Sequence, residues 1–254
     1  MCFDPLATPP PLPADVGTHD VVSEELVLGS VGAQFTAYLS LTSGPSHTGI
    51  VVLPDVRGLF GYYEQLTTRF AAAGHSAIAL DYFGRTAGLS SRPNDFEFLP
   101  HIRATSPEQI RADIATCVAT LRERAEIEHV VTVGFCFGGS HSYLATTDPS
   151  LGLSGAVAFY GGLDPSRLGV FPKPAAQAGS MHGPILAIFG GADASIPTEL
   201  REEFDEALTE AEVEHEFIVY EGAPHSFFDR SHHDHGDECE DAWRHVLRFL
   251  AAVG

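Results

Sequence analysis

The chain has 254 residues, 44% of them hydrophobic, with 34 acidic against 14 basic side chains and a formal net charge of −20. That length and apolar content can fill one large core, so a single domain over residues 1–254 is expected. The negative field repels phosphate backbones and anionic lipid surfaces, which excludes nucleic acid as a partner. No stretch approaches the roughly 18 to 20 continuous apolar residues of a membrane helix, and no basic segment leads into an apolar one at the N-terminus. A soluble, cytoplasmic protein without a membrane partner is expected.

Residues 1–18 are proline-rich and aperiodic, which predicts an extended arm that either wraps the domain or stays disordered. Two β-type runs, VVSEELVL (21–28) and AQFTAYLSL (33–41), flank a Gly29-Ser30-Val31-Gly32 turn and predict an N-terminal antiparallel hairpin. Apolar strands then alternate with helices: GIVVLP (49–54), a helix over Tyr62–Ala73, SAIALDY (76–82), a helix over Pro107–Ala125, HVVTVGF (129–135) and a helix over Gly138–Ala145. SGAVAFY (154–160), PILAIFG (184–190), a helix near Thr198–Ala211, EHEFIVY (214–220) and a helix near Glu238–Val253 complete the series. Repeated βα alternation with unbroken apolar strands predicts an α/β fold, a mostly parallel sheet covered by helices on both faces. Ligands collect at the carboxyl ends of such strands. The polar stretch Gly84–Ser106 is long for a βα connection and is a candidate substrate-covering loop.

Of the four cysteines, Cys117 falls in the apolar pattern of a helix, while Cys2 and Cys239 have no special setting. With no CxxC spacing, a reducing compartment is expected. Cys136 differs. It is the centre of Gly134-Phe135-Cys136-Phe137-Gly138, a G-x-C-x-G between a predicted strand and a predicted helix. This is a nucleophile elbow with cysteine in place of serine. Its glycines leave room for a crowded turn, and the following helix directs its amides and positive dipole end at the sulfur, favouring thiolate.

In α/β hydrolases the nucleophile is followed by an acid and then a histidine, each after a later strand. Asp193 follows PILAIFG and His225 follows EHEFIVY, in that order. Singly, an Asp in a GGAD turn is more often a turn residue and a lone His a surface group; together with Cys136 they form a coherent triad.

These motifs, Gly134-Phe135-Cys136-Phe137-Gly138-Gly139, Gly190-Gly191-Ala192-Asp193 and Ala223-Pro224-His225-Ser226-Phe227, resemble those of the dienelactone hydrolase family, and the resemblance spans about residues 20 to 252. It implies an α/β-hydrolase fold and hydrolysis of a lactone or activated enol ester of a small, carboxylate-bearing molecule, without cofactor or metal. It further implies that Asp55, where family members carry glutamate, contacts the resting cysteine and takes part in thiolate formation. The oxyanion hole would be the amides of Val56 and Phe137. Substrate-binding arginines would be Arg85 and, near the histidine, Arg230, with Arg57 a further local candidate.

The alternatives are a general carboxylesterase or thioesterase, or an inactive homologue that binds a small molecule. HSFFDRSHHDHGDE (225–238) is rich in histidine and carboxylates but lacks metal-hydrolase spacing such as HExxH, so no catalytic metal is expected. The sequence is compatible with a monomer or a homodimer.

Overall fold

The computed structural model describes residues 7–46, 48–93, 95–164, 171–229 and 231–254; Cys2 and Arg230 lie outside them. Among the described residues one eight-stranded sheet organises the chain. Its strands are β1 (Val21–Leu28), β2 (Phe35–Thr42), β3 (Thr48–Leu53), β4 (Ala77–Leu80), β5 (His129–Phe135), β6 (Gly155–Phe159), β7 (Ile185–Gly190) and β8 (His215–Tyr220). They lie in the order β1-β2-β4-β3-β5-β6-β7-β8. β1 pairs antiparallel with β2 and β2 with β4, whereas every neighbouring pair from β4 to β8 is parallel. The helices are α1 (Gly61–Ala72), α2 (Gly84–Ala87), α3 (Phe98–Arg103), α4 (Pro107–Ala125), α5 (Phe137–Ala145), α6 (Thr198–Glu210) and α7 (Gly236–Val253). This is the expected α/β-hydrolase architecture.

The period of two in the strands divides the core. In β3, Ile50 and Val52 join an apolar cluster with α1, α6 and α7, while Val51 and Leu53 join a second cluster with α4. Ala77 and Ala79 of β4 face the first, and Ile78 and Leu80 the second. Every residue of β3 through β7 except His129 is buried, whereas the edge strand β1 exposes Val22 and Val27. Helix α7 buries Cys239, Ala242, Trp243, Val246 and Leu250 on one stripe. Trp243 is fully buried, with the Phe70 ring edge-on at 4.9 Å, and truncation to alanine there would cost about 3 to 5 kcal/mol. Cys239, expected to be incidental, is thus a core residue.

Helix α4 begins at a capping box: Ser106 Oγ accepts from Gln109 N (3.3 Å) and Ser106 N donates to Gln109 Oε1 (3.1 Å), with Pro107 in the first turn. Ahead of it, the segment expected to be a substrate-covering loop carries α2 and α3 and is tied down. Arg92 pairs with Asp81 and donates to the carbonyls of Ala87, Gly88 and Ser90, satisfying acceptors that no regular ladder reaches.

Residues 7–18 lie against α1 and α7. The Pro10 carbonyl accepts from Arg69 Nη1 (2.8 Å) and Trp243 Nε1 (3.3 Å), and Asp15 pairs with Arg244. Of the two fates open to the arm, the described part wraps.

Candidate active site

At the carboxyl end of β5 the backbone turns sharply into α5, and Cys136 occupies that turn with φ 52° and ψ −110°. A left-handed φ on a side-chain-bearing residue is strained, by about 1 to 3 kcal/mol, and persists because the surroundings hold it. Cys136 N donates to Phe159 O (3.0 Å), and Ser140 Oγ ties the helix start to Gly162 O (2.7 Å). The flanking glycines are sterically required. A Cβ on Gly134 would collide with the Gly138 carbonyl, one on Gly138 with the Leu53 carbonyl, and one on Gly139 would lie 2.6 Å from Gly161 Cα. The first N–H groups of α5 have no acceptor within the helix and point to the Cys136 side.

The loops after β7 and β8 approach equally closely. A Cβ on Gly190 would collide with the Ala223 carbonyl, one on Gly191 would lie 2.5 Å from Glu221 Cα, and Ala192 N donates to Ala223 O (3.0 Å). This contact brings together the two residues that the sequence separates. His225 Nδ1 donates to Asp193 Oδ2 at 2.5 Å. The other carboxylate oxygen, Oδ1, accepts from Ser195 N (2.8 Å) and Ser195 Oγ (2.6 Å), and that hydroxyl lies 3.3 Å from His225 Nδ1. Burial pushes the Asp193 carboxyl up, but the bonds from His225 and Ser195 together with the histidine's charge outweigh it, holding the group below its usual range. The Nδ1 bond fixes the ring and leaves Nε2 to act.

Tyr160 links this pair to the elbow. It follows β6, next to Phe159 whose carbonyl holds the Cys136 amide, and its ring centroid is 5.0 Å from that of His225. It is buried with φ 40°. Cys136, Asp193 and His225 therefore lie at the carboxyl ends of β5, β7 and β8, joined across β6 by Tyr160.

The remaining expected residues are placed as follows. Val56 and Phe137 are both buried beside the elbow, on the loop after β3 and in the first turn of α5. Asp55 is buried and engaged by Arg57: Oδ1 accepts from Arg57 N (2.8 Å) and Nε (3.3 Å), and Oδ2 from Nη2 (3.1 Å). The Arg57 guanidinium also stacks 3.5 Å from the Phe60 ring centroid. Arg85, expected to meet a substrate carboxylate, donates from Nη1 and Nη2 to the two oxygens of Asp113 on α4, each at 2.6 Å. Burial pushes the Asp113 carboxyl up, and Arg85 pulls it back. Arg230 falls outside the described residues.

Sequence reasoning missed Ser195, Asp113, Tyr160 and His141. His141, one turn into α5, is packed between the rings of Phe137 (4.6 Å) and Phe171 (4.5 Å), and burial lowers its pKa to about 3. In the histidine-rich stretch, His232 is buried with Nδ1 2.9 Å from Asp229 O, and its ring lies 3.9 Å from that of His233. Among the described residues no group of three or more His, Cys, Asp or Glu side chains is arranged to hold a metal ion.

The model of the dienelactone hydrolase family matches residues 35–254. A Yersinia pestis protein named "Putative carboxymethylenebutenolidase" is 29% identical over 246 residues, covering 93% of this chain and 91% of its own. An Escherichia coli K12 protein of the same name is 31% identical over 214 residues, covering 81% and 77%. The crystal structure of "Putative Dienelactone Hydrolase" from Klebsiella pneumoniae subsp. pneumoniae MGH 78578 superposes with a TM-score of 0.79 at 26% identity, covering 91% of this chain and 99% of the other.

Proposed function

The chain belongs to the dienelactone hydrolase family and is a hydrolase, and we propose that it opens a lactone or activated enol ester of a small molecule, with Cys136 as nucleophile, His225 as general base and acid, and Asp193 as its orienting partner. The observation that carries this reading is the 2.5 Å bond from His225 Nδ1 to Asp193 Oδ2, on loops next to a cysteine held at φ 52° between a strand and a helix.

In the proposed cycle His225 Nε2 takes the Cys136 proton and the thiolate adds to the ester carbonyl. Asp55 is assigned an assisting part in that ionisation. The developing oxyanion meets the amides of Val56 and Phe137, donors that need no reorganisation. Collapse breaks the C–O bond, His225 returns its proton to the departing oxygen, and an acyl-enzyme remains. Water then attacks with His225 as base, releasing the acid and the thiol.

Sulfur restricts the leaving group. A tetrahedral intermediate can expel thiolate or alkoxide, and thiolate leaves far more readily than an ordinary alkoxide. An enolate is stabilised and tautomerises to a ketone, so enol-lactones go forward where ethyl esters revert. The test is a rate series over enol-lactones, p-nitrophenyl, phenyl and ethyl esters, run beside Cys136→Ala. Steep dependence on leaving-group pKa with an inactive variant is expected; a flat dependence or efficient amide cleavage refutes the reading.

The charge of the substrate admits a second reading. Arg57 and Arg85 each donate to a buried carboxylate, which favours a general esterase taking uncharged esters over an enzyme selecting a carboxylate. A carboxylate-bearing enol-lactone and its methyl ester, assayed side by side, separate the two.

A further inference from the structure

We infer that Ser195 is a positioning residue of the His225–Asp193 pair, its hydroxyl fixing both the direction of the carboxylate and the basicity of the histidine. The inference rests on the cysteine-hydrolase reading and adds a member that no triad motif contains.

The geometry is that of a closed three-membered network. Ser195 N and Oγ donate to Asp193 Oδ1 at 2.8 and 2.6 Å, so two donors from one residue clamp that oxygen and turn Oδ2 towards His225. The hydroxyl has one proton. With it given to Asp193, the lone pairs of Oγ face His225 Nδ1 at 3.3 Å, and the Nδ1–H is shared between a short bond to Oδ2 and a longer one to Ser195. The ring is thereby held against rotation by two acceptors on different residues, whatever the charge on Nε2. Ile196 N also donates to Asp193 O (3.1 Å), and Ile196 is buried, so the turn that presents Ser195 is anchored.

The electrostatic consequence has a definite sign. Each hydrogen bond donated to Oδ1 delocalises the carboxylate charge and weakens its hold on a protonated imidazole. Removing the hydroxyl concentrates charge on the carboxylate and favours imidazolium, so the limb of the rate profile that reports His225 moves to higher pH. A residue that merely supported the loop would lower activity through stability and leave that limb in place.

The experiment compares Ser195→Ala, Ser195→Thr and Ser195→Val in the full chain, with p-nitrophenyl acetate hydrolysis from pH 5 to 10 and the rate of Cys136 alkylation by iodoacetamide over the same range. Thr and Val have the same shape and differ by the hydroxyl, so the contrast survives even if the alanine variant folds poorly. We expect Thr to keep the wild-type profile, and Val and Ala to lose about tenfold in kcat/KM with the His225 limb displaced upward by about half a unit to one unit. Equal profiles for Thr and Val, or a loss of rate without displacement, overturn the inference. A Cys136→Ala variant that still hydrolyses the ester refutes the nucleophile reading instead, and the alkylation profile, which needs no turnover, then still shows whether Ser195 tunes the histidine.

Discussion

Two halves of the sheet's carboxyl edge treat aspartate in opposite ways. After β3 and β4, Asp55 and Asp81 are buried against Arg57 and Arg92, and the neighbouring Asp113 against Arg85. After β7, Asp193 is buried against His225 and Ser195. All of these carboxylates are buried, so the partner decides what each can do. A guanidinium never surrenders its proton in the working range, and its pairs are fixed counter-charges. An imidazole does, and its pair can move a proton. The same carboxylate thus holds the scaffold at Asp81 and Asp113, and is suited to proton transfer at Asp193.

The strongest test of this contrast removes a proposed catalytic group. Cys136→Ala and His225→Ala are each expected to lower p-nitrophenyl acetate hydrolysis by about a thousandfold or more, with an unchanged circular dichroism spectrum. Retention of more than about a tenth of the rate would remove the distinction between the two halves.

On the arginine side the same kind of deletion should act on stability. Asp113→Ala strands the Arg85 guanidinium, and Arg85→Ala strands a buried carboxylate. Each should cost about 3 kcal/mol, read from urea denaturation, with hydrolysis of a neutral ester within about twofold of wild type. If Arg85→Ala instead raises KM selectively for a carboxylate-bearing substrate, Arg85 serves recognition as well as support.

His141 supplies a third, milder probe because it is buried and its Nε2 has no hydrogen-bond partner among the described residues. Its pKa falls from 6.5 to about 3 because burial disfavours the charged ring. The folded value lies below the unfolded one, so its contribution to stability is complete above about pH 6.5 and drains away as the pH falls towards 3. His141→Phe should flatten that loss by up to about 1.4 kcal/mol per pH unit, seen by comparing denaturation midpoints at pH 7 and 5. An unchanged slope would mean that another group controls the acid limb.

What could be read in advance follows the range of the forces. β5 and α4 fall where the sequence put them, His129–Phe135 and Pro107–Ala125, because an uninterrupted apolar run and a capping box are local signals. The positions of Cys136, Asp193 and His225 after successive strands were legible for the same reason, each motif being a strand end plus glycine. The four-residue α2 and six-residue α3 were not, since helices that short draw their stability from tertiary contacts such as those of Arg92 rather than from periodicity. Ser195 and Asp113 belong to no local motif; only the fold of β8 against β7, and of α2 against α4, shows what they touch.

The arm's hydrogen bond of longest range spans nearly the whole chain, from the Pro10 carbonyl to Trp243 Nε1. Closing a loop of that length comes after the intervening sheet and helices have formed, so the contact belongs to the last stage of folding and the first of unfolding. Interactions absent from the transition state act on escape rather than on arrival. Deleting residues 1–12 should therefore hasten unfolding several-fold while refolding keeps its speed. Trp243 is the chain's one tryptophan, so its fluorescence reports when the latch lifts.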